Sequence, residues 1–159
     1  MSATRPRRTA IVQSNYIPWK GYFDLIDHVD EFVLLDEVQY TRRDWRNRNR
    51  IKTAAGIRWL TIPVQTRGRY DQRIDETRVA DAGWRQSHWS AIEQAYRPAP
   101  HFAAVAAALE PLYRDLDAEL LSEVNFAFLC RLRDMLSIDT PISRSTDYQT
   151  GGGRSRRLL

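Results

Sequence analysis

The residues QSNYIPWKGYF, at positions 13–23, decide how this chain folds. They follow a short apolar segment, TAIV at 9–12, and lead into an amphipathic stretch at 22–29. A second apolar run, FVLL at 32–35, ends at Asp36. This order predicts a strand, a helix and a second strand, which together form a βαβ unit. Such units close right-handed, so we expect one α/β domain with a Rossmann-like, mostly parallel sheet and helices on both faces.

The polar residues after the first predicted strand indicate a ligand site. Open α/β sheets bind ligands beyond the carboxyl ends of their strands, which is where this run lies. Gly21 permits close approach of a ligand, and the first amides of the helix are free to hold an anion. A plain connection with aromatic packing is the alternative. The substrate-binding residues expected from this run are Gln13, Asn15, Tyr16, Trp19, Gly21 and Tyr22.

A basic segment follows at 42–52, where six of eleven residues are cationic. Arginine forks onto phosphate or carboxylate oxygens, and asparagine offers both a donor and an acceptor. In a strand, the alternating arginines at 46–50 face one side and the asparagines face the other. We expect an anion-binding strand opposite the first site, with a solvated edge or an RNA-binding strip as alternatives. The residues expected to bind substrate from 39–52 are Gln39, Tyr40, Arg46, Asn47, Arg48, Asn49 and Lys52.

The rest of the chain predicts further strands and helices around this unit. A strand at 56–64 follows the turn at 54–56 and runs antiparallel to its predecessor. Apolar residues at helical spacing predict helices at 82–96, 102–113 and 118–136. Short strands are expected at 74–79 and 141–146, and a glycine loop with the first turns of a helix at 151–159.

Composition sets limits on the class of protein. The 159 residues carry a net charge of +4 and predict one domain, at 9–159, after a basic flexible tail at 1–8. The arginines are spread among many acids, so nucleic acid is not the partner we expect first. No run is long enough to span a membrane, and the amino terminus lacks the apolar region of a signal peptide, so we expect a cytoplasmic protein. The lone Cys130 predicts a buried thiol, and no metal-ligand cluster or cofactor motif stands out.

The sequence resembles the WbqC-like protein family. The resemblance rests on the runs at 13–23, 32–40, 45–52 and 59–64, and on His88-Trp89. It implies a role in bacterial O-antigen or other surface-glycan assembly, or in natural-product biosynthesis, and it implies a pathway more firmly than a reaction. Members of the family continue beyond the position where this chain ends, at Leu159, so the chain is expected to be short at its carboxyl end.

A more distant likeness concerns residues 19–22. This run occupies the place where Rossmann-like nucleotidylyltransferases carry a His-x-Gly-His motif, whose histidines stabilise charge on a transferring phosphate. Trp19 and Tyr22 replace both histidines, so that chemistry does not carry over. The spacing instead predicts geometry that holds a nucleotide or a phosphopantetheine-like group.

Two functions follow from these residues. The first is a transferase that acts on a phosphate-bearing small molecule or carrier-linked substrate, with acyl or amide formation as a candidate reaction. Asp36 and His88 are its candidate general bases, because both side chains can take a proton. The second is a non-catalytic module that binds a nucleotide, a carrier or RNA. Neither the cofactor nor the oligomeric state follows from the sequence.

Overall fold

The computed structural model describes residues 5–148, so the expected glycine loop and final helix start lie outside the described residues. No helix in the described range is long and apolar enough to cross a membrane. The strands are β1 (Thr9–Val12), β2 (Glu31–Leu34), β3 (Arg48–Thr53), β4 (Gly56–Thr61) and β5 (Ile142–Arg144). The helices are α1 (Lys20–Asp27), α2 (Trp84–Tyr96), α3 (Phe102–Arg114) and α4 (Leu121–Met135), with single 3-10 turns at Ile74–Glu76 and Ser145–Asp147.

The predicted βαβ unit is the centre of a three-stranded parallel sheet. The strands lie in the order β1-β2-β5, with Thr9 opposite Glu31 and Phe32 opposite Ile142. Because α1 connects two parallel neighbours, the carboxyl ends of β1 and β2 meet at one edge of the sheet. The residues that follow these two strands, which include Asn15 and Asp36, therefore begin at that edge.

Both helices that contact this sheet pack on one of its faces. Phe23 and Ile26 of α1 and Leu129 of α4 share one hydrophobic cluster with Phe32 and Leu34 of β2. Val33, which alternates with these β2 residues, points to the other face. The mixed α/β class with a parallel sheet is confirmed, but the Rossmann-like arrangement with helices on both faces is not. Within residues 5–148 the sheet has three strands, and α2 and α3 pack in a second core.

A second core forms around the hairpin of β3 and β4. These strands pair antiparallel, as predicted, and Gly56 adopts a φ of +110° in their turn, a backbone conformation that favours glycine. Leu60 and Ile62 pack there against α2, α3 and α4. Tyr16, which follows β1, is fully buried in this core and therefore anchors the turn after β1 to the helices. The aromatic residues of the core are Tyr16, Tyr40, Trp84, Trp89, Tyr113 and Phe128.

The strand expected at 74–79 is absent, and a 3-10 turn occupies Ile74–Glu76. The Thr77 hydroxyl donates to the Arg73 carbonyl at 2.8 Å, and the Glu76 carboxylate accepts from the Arg73 amide at 3.0 Å. These local bonds satisfy backbone groups that a strand would pair with a neighbour. At the end of the expected strand, Arg78 and Val79 form single bridges, with Leu120 and Val64 respectively.

Candidate functional site

A buried polar network joins the segments that meet after β1. The Ser14 backbone amide donates to Asp36 Oδ1 at 2.9 Å. Asn125 Nδ2, on α4, donates to Ser14 Oγ at 3.0 Å and to the Arg46 carbonyl at 2.9 Å. Ser14, Asp36 and Asn125 are all buried, so these bonds are shielded from water and hold the ends of β1 and β2 against α4.

Arg46 orients two amide side chains of the same turn. Its Nη1 donates to Asn15 Oδ1 at 2.5 Å and to the Ser14 carbonyl at 3.3 Å, and its Nη2 donates to Gln13 Oε1 at 2.5 Å. A guanidinium only donates, so both amides must present their oxygens to it. The NH₂ group of each amide is thereby turned away from Arg46. We call Gln13, Ser14, Asn15 and Arg46 the Arg46 cluster.

An open cleft of about 460 Å³ lies beside this cluster. We call it the aromatic cleft, because Trp19 and Trp45 lie in its walls with 71% and 43% of their surface exposed. Trp19 lies directly over Gly21, where an added Cβ would be 1.9 Å from the indole ring. The cleft is lined by Asn15, Tyr16, Pro18, Trp19, Trp45, Asn49, Arg50, Ile51, Lys52 and Ile57.

Arginines and tryptophans stack on the exposed hairpin beside the cleft. The rings of Trp45 and Trp59 have centroids 5.6 Å apart. The Arg48 guanidinium lies 4.4 Å from the Trp59 ring centroid, and that of Arg50 lies 5.3 Å from Trp45 and 5.4 Å from Trp59. Cross-strand pairing of Arg50 with Trp59 places these side chains together. We call the four residues the tryptophan–arginine stack.

Asn49 fixes the floor of the aromatic cleft. Its Nδ2 donates to the carbonyls of Tyr16, at 3.2 Å, and of Ile17, and its Oδ1 accepts from the Arg50 amide at 2.7 Å. Ile17 has a φ of +48°, which is strained for a β-branched residue. The asparagine therefore holds the turn in a conformation that Ile17 would not adopt readily by itself.

His88 lies behind the cleft rather than in its wall. Its Nδ1 is 3.0 Å from the Tyr16 hydroxyl, which is 2.6 Å from the Tyr113 hydroxyl. The other ring nitrogen of His88 donates to the Thr61 backbone, so in the neutral imidazole Nδ1 can only accept. The Tyr16 hydroxyl therefore donates to Nδ1, and the Tyr113 hydroxyl donates to Tyr16. Burial lowers the pKa of His88 to about 4 and raises the pKa of Tyr16 well above its ordinary value. At neutral pH the chain of three is uncharged.

A smaller cleft of about 160 Å³ lies at the carboxyl ends of β2 and β5. We call it the acidic cleft, after Asp36, Glu37, Asp75 and Glu123, which line it. Burial raises the pKa of Asp36, although hydrogen bonds from Ser14 and the charge of Arg46 oppose this effect. In the described part of the chain, no three carboxylate, histidine or cysteine side chains are grouped to hold a metal ion.

The structure distributes the predicted site residues over several places. Asn15, Tyr16, Trp19, Asn49 and Lys52 line the aromatic cleft. Four others support these residues: Gln13 and Arg46 belong to the cluster that orients Asn15, Tyr22 donates to the Gln13 carbonyl, and Gly21 lies under the Trp19 ring. Three lie apart from the cleft lining. Arg48 belongs to the tryptophan–arginine stack, Asp36 lines the acidic cleft, and His88 lies behind Tyr16.

Three predicted binding residues serve the local fold. Asn47 is buried and donates to the Ile62 carbonyl at 2.8 Å. Gln39 donates to the Tyr70 carbonyl at 2.9 Å, and Tyr40 packs in the hairpin core. None of the three is among the residues that line the aromatic cleft.

Trp45, Arg50, Ile51 and Ile57 line the cleft although they were not among the expected binding residues. The alternation of Arg46, Arg48 and Arg50 was the available signal for Arg50, because it extends the basic pattern into the hairpin. Ile57, which is 69% exposed, could not have been found this way, because a single apolar residue after a turn carries no such signal.

A comparison with models of protein families matches residues 13–159 to the WbqC-like protein family. The match includes every residue that lines either cleft. The chain belongs to the WbqC-like family. It is similar to the uncharacterized protein Rv1507c of Mycobacterium tuberculosis, with 49% identity over 152 residues. The matched region is 96% of this WbqC-like chain and 66% of the relative, so the chain spans about two thirds of that protein's length. No solved structure matches it.

Proposed function

We propose that this WbqC-like chain is a transferase of bacterial surface-polysaccharide or natural-product biosynthesis that binds a phosphate-bearing donor or carrier in the aromatic cleft. One observation carries the proposal: the polar side-chain groups that remain free among the described residues of the cleft lining are donors or cations. Asn15 turns its Nδ2 away from Arg46, and Arg50 and Lys52 add positive charge. No described residue in the lining is acidic. Such a cleft favours an anionic, oxygen-rich ligand.

Asp36 is the base in this proposal. It follows β2 at the sheet edge, lines the acidic cleft, and contacts Ser14, the residue before Asn15. Its raised pKa brings the carboxylate nearer to the proton affinity that a general base requires. The donor in the aromatic cleft and an acceptor amine in the acidic cleft would meet beside the Arg46 cluster. In an amide-forming transfer of this kind, the amine nitrogen would form a bond to the acyl carbon while Asp36 takes a proton from the amine. The bond between that carbon and the thiol or phosphate of the donor would break, and the thiol or phosphate would leave, so the step needs orientation and one base.

Thermal unfolding of the full chain tests the binding step. We expect a phosphate-bearing ligand, drawn from nucleotides, nucleotide sugars, acyl-CoA and phosphopantetheine, to raise the melting temperature. At 100 times its dissociation constant the increase would be roughly 5–10 °C. Arg50→Ala and Lys52→Ala should reduce this increase. Arg131→Ala, an exposed arginine on α4 outside the cleft lining, removes the same charge and should not. An equal increase in all variants would contradict the proposal.

The catalytic step is tested by Asp36→Asn. The asparagine keeps an oxygen to accept from the Ser14 amide, so the network survives while the base is lost. With the ligand identified by melting, transfer should fall at least about 100-fold, with ligand binding unchanged. Transfer at the wild-type rate would remove Asp36 from the mechanism.

A non-catalytic binding module is the second candidate. The exposed tryptophan–arginine stack favours it, because such a surface binds ligands without any base. In that case Trp45→Ala and Arg50→Ala would weaken binding, no transfer would accompany it, and Asp36→Asn would change neither quantity.

A further inference from the structure

We propose that the aromatic cleft is a nucleotide subsite, in which a nucleobase stacks on the exposed indole rings and the adjoining phosphates contact Arg50 and Lys52. The inference rests on the proposed function and names the chemical class of the donor. It draws on the identity of the exposed side chains, which the charge argument above does not use.

The walls of the cleft are suited to a flat ring. Trp19 and Trp45 line the same cleft and keep 71% and 43% of their surface exposed. Exposed aromatic side chains that are grouped in one cleft, rather than scattered over the surface, are typical of ligand-binding surfaces. Trp19 is also held in place, because it lies against Gly21 with no room for a side chain between them. Indole rings fixed at a cleft wall favour planar, aromatic ligands.

Asn15 adds a donor at the edge of such a ring. Arg46 takes its Oδ1 at 2.5 Å, and no hydrogen bond joins its Nδ2 to any residue in the range 5–148. Because Asn15 lines the cleft, this free amide N–H can pair with a ring carbonyl or ring nitrogen, which every nucleobase carries. Because Arg46 fixes the orientation of the amide, the donor is preorganised before a ligand arrives.

The cations lie beside the rings, as a nucleotide requires. Arg50 and Lys52 both line the cleft, and their spacing of two residues on β3 places them on the same side of the strand. The Arg50 guanidinium lies 5.3 Å from the Trp45 ring centroid. A positive charge therefore lies close enough to the stacking surface to bind the phosphate of a nucleotide whose base stacks there. A bare phosphopantetheine arm would leave the indole rings without a stacking partner. A volume of about 460 Å³ is within the range of small-molecule sites.

The test compares ligands that carry the base, the phosphate or both. Binding of UDP, ADP, uridine, ribose 5-phosphate and a ten-residue single-stranded oligo(U) is measured by calorimetry on the full chain. UDP or ADP should bind at least about tenfold more tightly than ribose 5-phosphate. Trp19→Ala should remove that advantage and leave ribose 5-phosphate unchanged. Tyr70→Ala, which removes a 75% exposed ring outside the cleft lining, is the matched control.

The outcomes separate this inference from the proposed function. If ribose 5-phosphate binds as tightly as UDP and ADP through Arg50 and Lys52, the phosphate site stands and the base-stacking inference is wrong. If none of the five ligands binds, both fail for this class of donor. If oligo(U) binds far more tightly than UDP, and its affinity falls steeply with salt, the nucleotide that occupies the cleft belongs to a single-stranded RNA. Weak oligo(U) binding would identify a mononucleotide.

Discussion

The Arg46 cluster and the tryptophan–arginine stack use the same residue type in opposite ways. The Arg46 side chain is 14% exposed and donates to three oxygens of the turn after β1. Arg50, four residues later, is exposed and contacts two indole rings without a side-chain hydrogen bond to any described residue. The donors of Arg46 are used within the fold, whereas the Arg50 side chain donates to no described residue. We therefore infer the binding side chain from unused donors rather than from residue type alone.

The largest loss of stability is expected from a substitution that breaks the Arg46 cluster. Arg46→Ala should lower the free energy of unfolding by about 3–6 kcal/mol, because bonds from a charged donor contribute roughly 1.5–3 kcal/mol each and two strong ones are lost here. Asn15 and Gln13 would also be free to turn their amides. Urea unfolding followed by circular dichroism measures the loss.

Two variants sharpen this result. Arg50→Ala removes an arginine of the stack and should change the free energy of unfolding by less than about 1 kcal/mol, since it loses only exposed contacts with indole rings. Arg46→Lys keeps the charge but cannot form the fork, so it should lie nearer to Arg46→Ala than to the wild type. Equal losses for Arg46→Ala and Arg50→Ala would contradict the distinction between the two regions.

The difference between these arginines also marks where sequence reasoning ends. Local patterns predicted β1, α1, β2 and the hairpin, because periodicity and turn residues act over a few positions. The contacts of Arg46 with Gln13 and Asn15 span 33 and 31 residues. They depend on how the segment before β3 lies against the turn after β1, which no local pattern encodes. For this reason the sequence predicted Arg46 to bind the ligand and did not include Arg50, which lines the cleft, among the binding residues.

His88 illustrates the same limit on the helical side. Its place in the sequence, beside Trp89 on an amphipathic stretch, does not distinguish a base at a surface from a buried partner. Tyr16 lies 72 residues away and accounts for its position, because the two side chains are hydrogen-bonded in the core. The candidate site could thus be located at the carboxyl edge of the sheet, while the assignment of individual side chains needed the packing of α2 on the hairpin.

The second-largest expected effect is a pH-dependent change in the free energy of unfolding, caused by His88 in its hydrogen-bonded chain with Tyr16 and Tyr113. Burial depresses the pKa of His88 from 6.5 to about 4, so its contribution to stability is present above pH 6.5 and is lost as the pH falls toward 4. A depression of this size corresponds to roughly 3 kcal/mol. His88→Gln cannot take up this proton. The difference in unfolding free energy between wild type and His88→Gln should therefore change by roughly that amount between pH 7 and pH 4, in favour of the variant.

Urea unfolding at several pH values supplies the measurement, and His28→Gln is the control. His28 is exposed, directly follows α1 and has no hydrogen bond to His88, Tyr16 or Tyr113, so its replacement leaves the buried chain of three intact. Parallel curves for wild type and His88→Gln across this range would mean that the fold does not lower the pKa of His88, and the burial of a neutral His88 against Tyr16 would be contradicted.

The smallest effect on stability tests the wall of the aromatic cleft. Gly21→Ala places a Cβ where the Trp19 ring now lies, at 1.9 Å, so the exposed indole must swing away. Alanine is a better helix former than glycine by about 1 kcal/mol, which offsets the lost contact and keeps the change in unfolding free energy within about 1 kcal/mol. Binding of UDP or ADP should nevertheless weaken about three- to tenfold, because the stacking surface has moved. Gly83→Ala, directly before α2, is the control. Gly83 has a negative φ, and the atom nearest to an added Cβ is an oxygen of the exposed Asp81, 3.1 Å away, so this variant should bind UDP or ADP as the wild type does. A Gly21→Ala variant that binds nucleotides like the wild type would show that the position of Trp19 does not matter to the ligand, and the stacking surface would then have to be Trp45 alone.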